Sequence, residues 1–150
     1  MIRPSLSDFL KISKKGNIVA IIKELPSDLI TPVDAYYATS ASYLLESVEK
    51  GSVIGRYSFL GIDPIIRFEI HENTINITEN GSVSKMRLND PIRKVGEILR
   101  KKPYIGEGDL SPFPGGAVGF IGYEYVQLWE KVGDCSDKPD LNVPDSVFMI

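Results

Sequence analysis

Glu46, Ser47 and Arg56 are the residues of this chain whose types and spacing point most directly to chemistry. They lie in Leu44-Leu45-Glu46-Ser47-Val48-Glu49-Lys50-Gly51 and, shortly after, Ile54-Gly55-Arg56-Tyr57-Ser58-Phe59-Leu60-Gly61. An apolar run breaks at a carboxylate and a hydroxyl, turns at a glycine, and resumes as a second strand carrying a guanidinium. Such a set suits a zwitterionic small molecule. Glu46 would pair with an ammonium, Ser47 would donate and accept hydrogen bonds, and the planar fork of Arg56 would meet a carboxylate or steady Glu46. On chemistry alone the plainer reading outweighs this one: a solvated Glu–Arg pair at a sheet edge, worth under about 1 kcal/mol.

Other groups carry less. The run Pro114-Gly115-Gly116-Ala117-Val118-Gly119-Phe120-Ile121-Gly122 offers backbone N–H groups to an anion. No Lys-Ser or Lys-Thr follows it, so it is not a nucleoside-triphosphate loop. The spacing also misses the dinucleotide fingerprint. A strand whose glycines admit a close neighbour is the better account. His71 is the single histidine and Cys135 the single cysteine, which argues against a zinc site or a nucleophile triad. His71 reads as a solvent-facing strand residue. Glu69, Glu72 and Glu79 lie on or beside wet strands, a poor setting for paired-carboxylate catalysis. Trp129 with Tyr123, Tyr125 and Leu128 reads as core or domain interface, and Lys11, Lys14 and Lys15 as a solvated helix face.

The elements that must position these residues follow from patterning. Residues 5–14 predict a short amphipathic helix begun by Ser5 or Ser7. Asn17 to Glu24 reads as one buried strand, ended by Pro26-Ser27-Asp28. Thr31-Pro32-Val33-Asp34 starts a helix over Pro32–Thr39, with Thr31 as cap, Pro32 at the first position and Asp34 reaching back. Strands follow at Tyr43–Ser47, Arg56–Gly61, Ile65–His71, Thr74–Thr78 and Ser82–Arg87. Phe68-Glu69-Ile70 and Ile75-Asn76-Ile77 alternate as a half-solvated antiparallel sheet does, and Asn80-Gly81 is a hairpin signal. Asp90-Pro91 opens a helix with Ile92, Val95, Ile98 and Leu99 on one face and Arg100, Lys101 and Lys102 at its end. A polar linker runs to Ser111, Tyr123–Lys131 has helical character, and Cys135–Pro144 is a loop. The closing Ser146-Val147-Phe148-Met149-Ile150 reads as a strand with no polar turn behind it, from which the natural chain is expected to continue.

With 150 residues, 43% hydrophobic and 25% charged, the chain is one globular domain by size. Its 17 basic and 20 acidic residues give a net charge of −3 and form no basic footprint, so nucleic-acid binding is not expected. One cysteine fits a reducing compartment. The start has no signal-peptide h-region, and no apolar window spans a bilayer. A cytoplasmic protein without membrane contact is the expectation.

Several segments, in this order and at this spacing, resemble the start of anthranilate synthase component I. They are Thr31-Pro32-Val33, Tyr43–Ser47 with its Leu-Leu-Glu-Ser, Ile54–Pro64 with its Gly-Arg-Tyr-Ser-Phe-Leu-Gly, Gly115–Glu124, and Asp140-Leu141-Asn142-Val143-Pro144-Asp145. The family's glycine segment usually reads Gly-Gly-x-Val-Gly-Tyr-x-x-Tyr-Asp. Here Phe120 replaces the first Tyr and Glu124 the Asp.

The resemblance implies an α+β fold, mainly antiparallel sheet with a few flanking helices, in which residues 1–150 are the N-terminal regulatory domain. The family enzyme converts chorismate to anthranilate and pyruvate in tryptophan biosynthesis. It uses Mg2+ held by a larger C-terminal chorismate-binding domain, outside this sequence, and takes ammonia from a glutamine amidotransferase subunit. No catalytic or metal residue is expected here, and the chain alone is expected to be inactive. Leu45, Glu46 and Ser47 match the segment that binds L-tryptophan as feedback inhibitor. Pro32 matches a proline near that pocket, and Arg56 a basic residue lining it. Two alternatives stand beside this reading. One is aminodeoxychorismate (para-aminobenzoate) synthase component I, which usually lacks so clean a Gly-Arg-Tyr-Ser-Phe-Leu-Gly. The other is a stand-alone amino-acid-binding or subunit-interaction module.

Overall fold

Hydroxyls and carboxylates mark where the α-helices begin: Ser5, Thr31 and Asp90 each accept a first-turn N–H. The computed structural model describes residues 2–14, 18–47, 57–101, 104–105 (backbone only), 113–133 and 143–150. Arg56 and Cys135 fall outside the described residues, as does most of the expected loop Cys135–Pro144. In chain order the elements are β1 (Ile2–Arg3), α1 (Leu6–Ser13), β2 (Ile18–Val19), β3 (Ile22–Lys23), α2 (Pro32–Thr39), β4 (Tyr43–Glu46) and β5 (Ser58–Gly61). Then come β6 (Ile66–His71), β7 (Thr74–Glu79), β8 (Ser82–Arg87), α3 (Pro91–Lys101), β9 (Tyr104–Ile105), β10 (Val118–Ile121), a 3-10 helix (Tyr123–Leu128) and β11 (Ser146–Met149). The class is α+β with mainly antiparallel pairing, as expected. The chain divides into a sheet unit, Met1–Lys23 with Ile65–Ile150, and a second unit, Glu24–Pro64.

In the sheet unit, five strands run in the order β10-β11-β6-β7-β8, every neighbour antiparallel. Alternation in β6 and β7 turns Ile66, Phe68, Ile70, Ile75 and Ile77 to one buried face, while Arg67 and Glu69 pair on the other at 2.8 Å. Asn80 and Gly81 both have positive φ, 50° and 75°, and they join β7 to β8 as the mirror-image turn that suits twisted strands. The α3 helix covers the buried face with Val95, and Ile92, Ile98 and Leu99 pack beside it. Asp90 caps it by accepting the Arg93 N–H at 3.1 Å.

Tyr125 completes this core. It is 2% exposed, and its phenol oxygen accepts the Ile92 N–H at 3.2 Å, one of the first-turn donors that a helix cannot satisfy itself. Burial pushes the Tyr125 phenol above its ordinary range, and this outweighs the opposing effect of the Ile92 N–H. The aromatic segment is therefore split. Tyr125 is core, whereas Tyr123 and Trp129 are exposed.

The glycine run behaves as a close-approach strand. A side chain at Gly119 would collide with the Val147 carbonyl and come within 2.7 Å of the Phe148 Cα. The chain's closing strand, β11, lies inside the sheet between β10 and β6.

The expected single buried strand Asn17–Glu24 is not found. Ile18 and Val19 pair in parallel with Tyr104 and Ile105, while Ile22 and Lys23 pair antiparallel with Ile2 and Arg3. An apolar run states a demand for burial but not its partner, and here its two ends serve different partners. The ladder breaks at Ala20-Ile21, and Ile21 is left 65% exposed. The partner strands β1 and β9 are too short to carry a sequence signal.

Candidate functional site

The second unit is organised locally. Thr31 and Asp34 form a capping box: the Thr31 hydroxyl accepts the Asp34 N–H at 3.1 Å, and the Asp34 carboxylate accepts the Thr31 N–H at 3.1 Å. The Thr31 hydroxyl also donates to that carboxylate at 2.6 Å. These bonds, the Thr31 hydroxyl first, hold Asp34 below the usual carboxylate range. Pro32 occupies the first turn, where its missing N–H costs nothing. At the other end Ser40 turns left-handed at φ 51°, and the Ala41 N–H closes on the Tyr36 carbonyl at 3.1 Å.

That turn feeds β4, which pairs antiparallel with β5 through Tyr43↔Gly61, Leu44↔Leu60, Leu45↔Phe59 and Glu46↔Ser58. The Tyr43 ring lies where a side chain at position 61 would stand, its Cδ1 2.6 Å from that point. Only glycine lets the ring settle across the partner strand. Beyond β4, the Ser47 N–H donates to the Tyr57 carbonyl at 3.1 Å and continues the ladder by one residue.

Helix and strands together border an open pocket of about 390 Å³. Ser27, Ile30, Thr31, Pro32 and Ala35 line it from the loop and the first turns of α2. Ser47, Tyr57, Ser58 and Leu60 line it from the strand pair. The Tyr57 ring stacks on Phe59 with centroids 6.2 Å apart. Of the lining hydroxyls, that of Thr31 is committed to the capping box. Those of Ser27, Ser47 and Ser58 bond to no other described side chain or backbone group.

Of the residues singled out from sequence, Pro32 and Ser47 are brought together here, fifteen positions apart in the chain. Leu45 and Glu46 lie on β4, both exposed and neither among the lining. Glu46 is paired with the wall residue Ser58. Arg56 lies outside the described residues. The other lining residues, Ser27, Ile30, Thr31, Ala35, Tyr57, Ser58 and Leu60, are not marked as such by the sequence. Ser27 reads from sequence merely as part of a strand-breaking Pro-Ser-Asp, and Tyr57 and Ser58 as members of a strand whose register is not written in the chain.

Among the described residues, no group of three or more His, Cys, Asp or Glu side chains is assembled to hold a metal ion. None of the described helices is long and apolar enough to cross a membrane.

No protein-family model matches the chain. It is 34% identical over 154 residues to anthranilate synthase component 1 of Synechocystis sp., covering 99% of this chain and 30% of the relative. It is 31% identical over 153 residues to anthranilate synthase component 1 of Acetivibrio thermocellus, covering 99% of this chain and 31% of the relative. It is also 33% identical over 136 residues to the chloroplastic anthranilate synthase alpha subunit 2 of Arabidopsis thaliana, covering 82% of this chain and 22% of the relative. The chain thus spans under a third of the length of these curated relatives.

Proposed function

Because this chain belongs to the anthranilate synthase component 1 family, as the counterpart of its N-terminal portion, we propose that it is the part of that enzyme that senses L-tryptophan. The whole enzyme, in this reading, takes chorismate and ammonia to anthranilate and pyruvate. The ammonia comes from a glutamine amidotransferase partner in the cytoplasm. The Mg2+ and chorismate chemistry belongs to the part of the relatives that this chain does not span.

The observation that carries the proposal is the pocket at which Pro32 and Ser47 converge. Both residues belong to segments that carry the family resemblance, and the fold of one unit brings them to the same open pocket. The pocket has apolar walls in Ile30, Ala35 and Leu60 and uncommitted serine hydroxyls, a composition that suits an apolar side chain joined to a zwitterionic backbone. Glu46 stands beside it as the anion for an ammonium. Binding there regulates turnover only to the extent that tryptophan prefers one state of the enzyme over another.

The test is Ser47→Arg in the full enzyme. A guanidinium in place of a hydroxyl fills the pocket and sets a cation against the ammonium. The tryptophan concentration for half-inhibition should rise by about tenfold or more, equivalent to about 1.4 kcal/mol of binding. Inhibition unchanged from the parent would sink the assignment.

A further inference from the structure

We infer that Ser58 is a positioning residue of this pocket, holding the Glu46 carboxylate toward the ammonium of a bound amino acid. The inference rests on the tryptophan-sensing reading above and adds a residue to it.

The register supplies the argument. Ser47 and Tyr57 are joined by a narrow hydrogen bond, Ser47 N–H to the Tyr57 carbonyl at 3.1 Å. In an antiparallel pair, hydrogen-bonded and non-hydrogen-bonded positions alternate. The next pair inward, Glu46↔Ser58, therefore occupies a non-hydrogen-bonded position, where side chains on the same face approach most closely. Their Cβ atoms are then about 4.5–5.5 Å apart, near enough for a serine hydroxyl to donate to a carboxylate.

Ser58 lines the pocket and Glu46 does not. The pairing thus stands Glu46 shoulder to shoulder with a wall residue. Thr31 cannot perform this task, since its hydroxyl already donates to Asp34. The Ser58 hydroxyl bonds to no described side chain or backbone group, Glu46 included, so it stands beside that carboxylate as an uncommitted donor. A glutamate on an exposed strand samples many rotamers, and one donor from the pocket wall limits that freedom to the rotamers that face the ligand.

The test compares two mutually isosteric β-branched substitutions in the full enzyme, Ser58→Thr and Ser58→Val, with L-tryptophan binding read by calorimetry. Both suit a strand equally, and only threonine keeps the hydroxyl. Ser58→Thr should bind within about twofold of the parent, and Ser58→Val about fivefold more weakly, the scale of one net hydrogen bond. In a Glu46→Met background the Thr/Val difference should vanish, because position 46 then offers no acceptor through which the hydroxyl can act. Equal affinity for Thr and Val in the parent background would overturn the Ser58 assignment. So would a Thr/Val difference that persists without the carboxylate. A parent enzyme that binds no tryptophan would instead overturn the underlying reading, and the two failures are told apart by that single control.

Discussion

The five-stranded sheet and the pocket unit are built on different physics. Around α3 and Tyr125 the sheet buries Phe68, Ile70 and Ile75 completely. In Glu24–Pro64, Ala41 is the only described residue that is buried, and Leu29 is 96% exposed. The sheet unit is held by apolar area removed from water, at about 25 cal/mol per Å². The pocket unit is held by local bonds: a capping box, a left-handed helix end and a short ladder. A region organised in this way opens at low free-energy cost. For a site that must change when a ligand arrives this is an advantage, because a weakly held region has more to gain from binding.

The largest expected effect lies in the sheet. Phe68→Ala removes a fully buried ring and should cost about 3–5 kcal/mol, the usual range for such truncations. Urea unfolding followed at β6 and β7 amides by hydrogen exchange would read it. The same experiment sharpens the comparison, since α2 amides in the parent should exchange much faster than those of β6. Equal protection in α2 and β6 would mean that the two regions open together, and the contrast would fall. A smaller effect is expected at the pocket. Thr31→Ala deletes the cap of α2 and should cost that helix about 1 kcal/mol, seen as faster exchange at Asp34 and Ala35. No change there would show that the capping box does not hold the helix.

The same division explains what could be read from the chain. The central strands were legible because one face of each is buried, so Phe68-Glu69-Ile70 and Ile75-Asn76-Ile77 had to alternate, and Asn80-Gly81 named the turn between β7 and β8. The start of α2 was equally legible, since every bond of the Thr31–Asp34 box lies within one helical turn. Pairing was not. Nothing in Ile18–Lys23 says that its two ends serve different strands, and nothing in Tyr57-Ser58 says which residue of β4 each will face. Pro32 and Ser47 were found through a motif. Ser58 becomes visible only with the register, because cross-strand neighbours leave no trace in linear spacing, and Ser27 and Ile30 only with the path of the loop that leads into α2.

The two units should also part company with pH, and here the expected effects are the smallest. Asp34 is held below its ordinary value, first by the Thr31 hydroxyl and then by the Thr31 N–H. A carboxylate lowered in the folded state supports the fold above its unfolded value, about 3.9 for aspartate. That support is lost as pH falls through the lowered folded value. Tyr125 runs the other way. Burial raises its phenol, so its contribution is complete below the ordinary value near 10 and is lost as pH climbs through the raised one. Acid therefore loosens the cap of the pocket helix, and alkali loosens the core of the sheet. Asp8 adds an acid-sensitive point at α1 in the sheet unit, lowered chiefly by its bond from Ser5, so acid sensitivity alone does not identify the pocket. An NMR titration of the Asp34 carboxyl does identify it. Its midpoint should lie below about 3.9 and should return toward that value in Thr31→Val, which keeps the shape of the side chain and removes its hydroxyl. A midpoint at or above the ordinary value in the parent would mean that the box is not closed in solution, and the pocket would lose the wall that Thr31 and Pro32 provide.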